Sequence, residues 1–166
     1  MDGLAGAIIM GTGTEASGTI NAGLAFINFL SFFHSDEYRS TMVRDMTYSA
    51  PYKQYDCTGA TPDNSWLTKD VEIVKKYYSD PKCTYTFSLG AYRGLVESTK
   101  YDNDPANIAK MKKDLPVFFV SGACDPVGNM GKGVEAARDK FVAAGMQDVS
   151  LKLYDNDRHE ILNETD

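Results

Sequence analysis

The last third of this sequence runs strand, helix, strand, and that order admits few folds. LPVFFVSGACDPVG carries a Val- and Phe-rich run over residues 116–121 and then a polar turn. GKGVEAARDKFVAAGMQ follows it. Val134, Ala137, Phe141 and Ala144 recur on one helical face, and Gly145 supplies the stop. DVSLKLY then alternates Val149, Leu151 and Leu153 with polar residues, the period of a strand over residues 149–154. Two strands joined by one helix form a βαβ unit. Its strands run parallel and lie adjacent or nearly so.

That geometry has a chemical consequence. Ligands of open parallel sheets sit beyond the carboxyl ends of the strands. Asp125 follows the first strand, and His159, in YDNDRHEILNE, follows the second. Parallel strands deliver both residues to the same sheet edge, close in space despite their separation in sequence. A carboxylate that accepts the imidazole Nδ1–H fixes the tautomer and leaves Nε2 free as a base.

Upstream, residues 5–10 form an apolar run that ends in a Gly-Thr-Gly turn. A run apolar at every position reads as a strand covered on both faces, with neighbours on each side. The reading therefore expects a missing preceding neighbour and, without it, an uncovered edge. A helix, apolar nearly all round, is expected over residues 19–33, and another near 40–47. Thr68 or Asp70 caps a further helix carrying Val71, Val74 and Tyr77 or Tyr78, which Asp80-Pro81 ends. SLGAYRGLVESTKY and DNDPANIAKMKKD read as two more. Asn163 or Thr165 has the character of an N-cap for a helix beyond it.

Composition narrows the function classes. The chain has 166 residues, of which 43% are hydrophobic, enough for a real core. Acids outnumber bases 23 to 17, for a net charge of −6, which argues against nucleic acid or an anionic membrane as partner. Cys57, Cys83 and Cys124 form no CxxC and are odd in number, so they read as free thiols of a reducing, cytoplasmic compartment. The apolar run over residues 24–33 is broken by Asn28 and Ser31 and falls short of the roughly 20 residues a membrane span needs. No cofactor motif is found, and neither a cofactor nor a bound metal is expected.

The residues from LPVFFVSGACDPVG through DNDRHEILNE resemble the carboxy-terminal part of an α/β-hydrolase of the monoacylglycerol lipase and lysophospholipase-like group. SGACDPVG and DNDRHEILNE carry the likeness most specifically. WLTKDVEIVKKYYSDPKCTYTFSLGAYRGL resembles the helical cap inserted after the sixth strand of such enzymes, and DGLAGAIIMGTG resembles that strand. The resemblance implies a short parallel sheet of about three strands with packed helices. It implies a core strand and turn over 1–18, a helical cap over 19–110, and a strand–helix–strand core over 111–166. It also implies Asp125 as triad acid and His159 as triad base, acting on an apolar or lipid-like ester. The nucleophile elbow of the family, G-x-S-x-G, is absent, as is the upstream oxyanion-hole loop. The expectation is thus a fragment of a serine ester hydrolase. It would pair with a missing amino-terminal half, or self-associate through the open sheet edge, and alone it would be inactive.

Other residues read more plainly. Ser17 in EASGTI and Ser121 at a strand end make poor nucleophiles, and Cys124 stands beside the acid, pointing away from the base. His34 ends an apolar helix, where it interacts with the helix dipole. Asp155, Asp157 and His159 alternate as metal ligands could, but no second histidine stands near. DNDPANIAKMKKD begins like a calcium loop but lacks the required glycine. The aromatics of residues 26–55 either line an acyl pocket or pack the cap. A non-catalytic remnant or binding module is the competing function. A flavodoxin-like domain is disfavoured because no phosphate-binding glycine loop is found.

Overall fold

The computed structural model describes residues 3–48 and 50–165. Three strands, β1 (Ala7–Met10), β2 (Val117–Gly122) and β3 (Val149–Tyr154), form one sheet in the order β1-β2-β3. Both pairings are parallel, with Ala7 opposite Val117 and Val117 opposite Val149. The parallel βαβ reading therefore holds. Chain order is kept across the sheet, so the turns after all three strands emerge at one edge.

Among the described residues six α-helices connect them: α1 (Ser17–Phe33), α2 (Thr41–Thr47), α3 (Val71–Ser79), α4 (Leu89–Asp102), α5 (Pro105–Ile108) and α6 (Lys132–Ala143). Helix α6 covers one sheet face. Val134 and Ala137 bury against Val117 and Phe119, and the Phe119 and Phe141 rings meet edge to face at 5.0 Å. Gly145, at φ +85°, ends this helix in the left-handed conformation expected of it. The opposite face is different. Ile8 is 69% exposed and Met10 47%, and Ser150, Lys152 and Tyr154 also face solvent. The apolar run of β1 is thus covered on one face only, because the packing residues gathered on the sheet lie on the α6 side.

A second core forms away from the sheet. Ile27 of α1, Val43 of α2, and Leu89 and Tyr92 of α4 bury one another. Arg93 ties the pair α1–α4 together: it donates to Asn28 and Ser31 and forks onto both oxygens of Asp36. That guanidinium holds the Asp36 carboxyl below its ordinary range. Helix α1 is apolar nearly all round, as expected, but is covered on one side only. It buries Ile20 and Ile27 but leaves Phe29, Phe32 and Phe33 exposed, packed edge to face on each other.

Local signals decided several boundaries. Asp70, not Thr68, caps α3 by accepting from the Glu72 and Ile73 amides. Thr68 turns away and donates to the Asn163 carbonyl. DNDPANIAKMKKD supplies only the single turn of α5, capped by Asp104, and not a full helix. At the carboxy end Asn163 closes a 3₁₀ turn (Ile161–Asn163) instead of opening a helix, and Glu164 is extended because its carboxylate is drawn into the loop described below. No helix among the described residues is long and apolar enough to cross a membrane.

Phe119 is fully buried at the centre of the sheet core, whereas Ile8 stands on the open face. Phe119→Ala is expected to cost about 3–5 kcal/mol in a denaturant titration. Ile8→Ala is expected to change stability by less than about 0.5 kcal/mol.

Candidate active site

Asp125 sits in the turn after β2 and is completely buried. A buried carboxylate must be satisfied. Its Oδ1 accepts from the Val127 amide at 2.8 Å, and its Oδ2 accepts from the Ser121 hydroxyl at 3.3 Å. The same Oδ2 lies 3.0 Å from His159 Nδ1. A carboxylate only accepts, so Nδ1 carries the proton and Nε2 keeps its lone pair. The two residues read from the sequence are therefore brought into direct contact, with the imidazole oriented by a buried acid.

Two glycines allow the approach. The backbone of the histidine loop lies directly on Gly122: a Cβ there would sit 2.1 Å from the Asp157 carbonyl oxygen. Gly11, just past β1 at φ +56°, lies under the imidazole, with a Cβ position 3.1 Å from His159 Cε1. All three strand ends thus converge on His159.

A network that sequence reasoning missed holds the loop. Arg158 donates through one guanidinium nitrogen to the carbonyls of Asp63, Ser65 and Thr68. Its own amide donates to Glu164 Oε1, while Glu164 Oε2 accepts from the Lys69 amide. The Lys69 ammonium pairs with Asp157 at 2.9 Å. Glu160 and His159 add backbone bonds to the Leu67 and Trp66 carbonyls. Segment 63–69 is in this way stitched to loop 155–164. The one signal in the sequence was the density of charge in DNDRHEILNE, which does not name its partners. Asp157, weighed as a metal ligand, is instead the counter-ion of Lys69. Among the described residues no group of three or more His, Cys, Asp or Glu is arranged to hold a metal ion.

The remaining candidates fall elsewhere. Ser17 is exposed in the first turn of α1 and makes no contact with His159 in the structure. Ser121 is buried on the acid side. The Cys124 carbonyl accepts from the Tyr55 hydroxyl at 2.7 Å, which fixes the acid turn from below. His34 closes α1 and stacks on Tyr38 at 4.0 Å. Trp66 packs against the His159 ring at 5.2 Å, and Tyr52 meets Trp66 at 5.4 Å. Burial and the nearby Asp125 charge push the Tyr52 hydroxyl well above its ordinary range. Tyr48 and Tyr52 line a cavity beside this cluster, while Phe26 packs helices and Phe29, Phe32 and Phe33 face outward.

A parallel sheet whose penultimate strand delivers an acid and whose last strand delivers a histidine defines the α/β-hydrolase class. Within it, the chain belongs to the family described as serine aminopeptidase, S33, whose model matches residues 6–166. Among solved structures it is similar to a thermostable carboxyl esterase from Bacillus coagulans, with TM-score 0.80 and 23% identity, covering 98% of this chain and 52% of that one. A lipase in open form follows at TM-score 0.75 and 20% identity, covering 99% and 53%. A monoglyceride lipase from Saccharomyces cerevisiae gives 0.62 and 23%, covering 98% and 48%. The chain spans about half the length of these structures. No curated protein matches it.

Gly122→Ala is expected to push the 157–158 backbone away and break the bond between Asp125 and His159. The check is the downfield Nδ1–H proton of His159 by NMR, present in the parent and lost in the variant. Lys69→Met leaves Asp157 without its counter-ion and should cost about 1–3 kcal/mol, read by denaturant titration.

Proposed function

We propose that this chain supplies the general base and the orienting acid of a serine carboxylic-ester hydrolase of the monoacylglycerol lipase and lysophospholipase-like type. The observation that carries the reading is the 3.0 Å contact between buried Asp125 and His159 Nδ1, with Nε2 left unengaged among the described residues. In this reading His159 takes the proton of a serine hydroxyl as that oxygen attacks the ester carbonyl. It then returns the proton to the departing alcohol, and a water repeats the cycle on the acyl-enzyme. Asp125 holds the tautomer and stabilises the imidazolium. The serine would come from a G-x-S-x-G segment outside this sequence, which itself contains none. Residues 19–110 would act as the cap over the site.

The open edge of β1 fits the same reading. Among the described residues β1 pairs with β2 alone, and its outward Ile8 and Met10 stay exposed. A strand of the nucleophile-bearing segment would pair there and cover them. The three unpaired thiols suit a cytoplasmic setting. The competing reading, a binding module without catalysis, predicts that no added segment restores turnover.

The isolated chain is expected to resist labelling by a fluorophosphonate probe. Joined to the G-x-S-x-G segment, it should label and hydrolyse short esters. His159→Ala should then abolish turnover, and Asp125→Asn should lower kcat by about 10⁴. Labelling of the isolated chain that His159→Ala blocks would defeat the proposal. By sedimentation, the chain alone should self-associate with rising concentration and become monodisperse on adding that segment.

A further inference from the structure

Beside the Trp66 ring that packs on His159 lies a cavity of about 680 Å³. We propose that it takes the aromatic ring of an aryl-bearing ester, one with a polar ring substituent, in preference to an alkyl chain. The inference rests on the ester-hydrolase reading above and names the substrate class of that site.

The walls carry the argument. Tyr48, Tyr52, Trp66, Tyr77, Tyr78 and Tyr92 all line the cavity, and Leu95 is the one branched aliphatic side chain among the described lining residues. An alkyl chain gains the same dispersion from any apolar wall. A ring gains more here, because aromatic pairs favour offset or edge-to-face contacts with their oppositely charged edges and faces. The wall rings already stand steeply to one another. Tyr48 meets Tyr52 at 5.3 Å and 88°, Tyr52 meets Trp66 at 69°, and Tyr77 meets Tyr78 at 76°. A planar guest entering such a corner finds both edges and faces.

The polar atoms point the same way. Burial raises the hydroxyls of Tyr48, Tyr52, Tyr77 and Tyr78, so each stays protonated and able to donate. The Trp66 indole N–H is buried and meets no acceptor within hydrogen-bond geometry among the described residues. The rim adds Arg44, Asp45 and three threonine hydroxyls, and polar groups left without a partner cost free energy. A hydroxyl on a guest ring can pair with them, and an alkyl tail cannot.

The test uses this chain directly, because binding needs no nucleophile. Trp66 is its only tryptophan, so its emission reports on the cavity. The chain is titrated with the methyl ester of para-hydroxyphenylpropanoic acid and, separately, with methyl octanoate, and calorimetry repeats both titrations. The aryl ester is expected to bind at least about tenfold tighter, the scale of one or two aromatic contacts. Tyr77→Leu and Tyr48→Leu should each erode that preference while leaving alkyl binding in place. Equal affinity for the two esters, tighter binding of the octanoate, or no binding of the aryl ester by either method would overturn the proposal. Loss of the ring preference would leave the ester-hydrolase reading standing. Failure of the His159 and Asp125 variants to affect turnover would leave the ring preference standing.

Discussion

The parallel pairing of β2 with both of its neighbours is the constraint on which the rest of this molecule depends. Because β1, β2 and β3 point the same way, three turns open at one sheet edge. Gly11, Asp125 and His159 come from those three turns. An antiparallel β3 would have carried the histidine to the far end of the sheet. Helix α6 enforces the parallel return, and its apolar face, Val134 with Ala137, glues that return to Phe119 and Val117.

Pairing alone would bring the two loops near each other without fixing either. The fixing is done by charge and by missing side chains. Gly122 lets the backbone of the histidine loop lie flat on the end of β2. Arg158, Lys69, Asp157 and Glu164 then tie that loop to segment 63–69, which belongs to the long helical excursion between β1 and β2. The excursion is therefore coupled to the edge that carries Asp125 and His159. Trp66 lies within this stitched segment, and its ring touches His159. The aromatic cavity and the imidazole are thus parts of one structure. A change in how the helices pack would move both.

The two cores explain why the halves can be so coupled and still distinct. One core lies between the sheet and α6, the other among α1, α2 and α4. Between them, hydrogen bonds and ring contacts stitch segment 63–69 to the histidine loop, beside the buried Leu67. Polar contacts of that kind are directional, which suits a segment that must position a histidine.

Much of this was legible in the sequence. The alternation in DVSLKLY, the run in LPVFFV and the spacing of Val134, Ala137 and Phe141 each have a period that belongs to one element type. From their order follow the parallel sheet and the shared edge that holds Asp125 and His159. Local chemistry was less decisive where two residues could serve one role. Thr68 and Asp70 are both good caps, and only the nearness of Asn163 decided that Thr68 would bond elsewhere. DNDPANIAKMKKD has helical propensity, yet α5 is a single turn. The partners of Arg158, Lys69 and Glu164 lie far away in sequence, and no pattern of spacing encodes such pairings. Periodicity is a property of neighbouring residues, so the sequence by itself determined the strands, their direction and the edge where Asp125 and His159 meet. Contacts between distant segments depend on how those elements pack in space. Only the tertiary structure decided the clamp on the histidine loop, the bare face of β1 and the ring-lined cavity at Trp66.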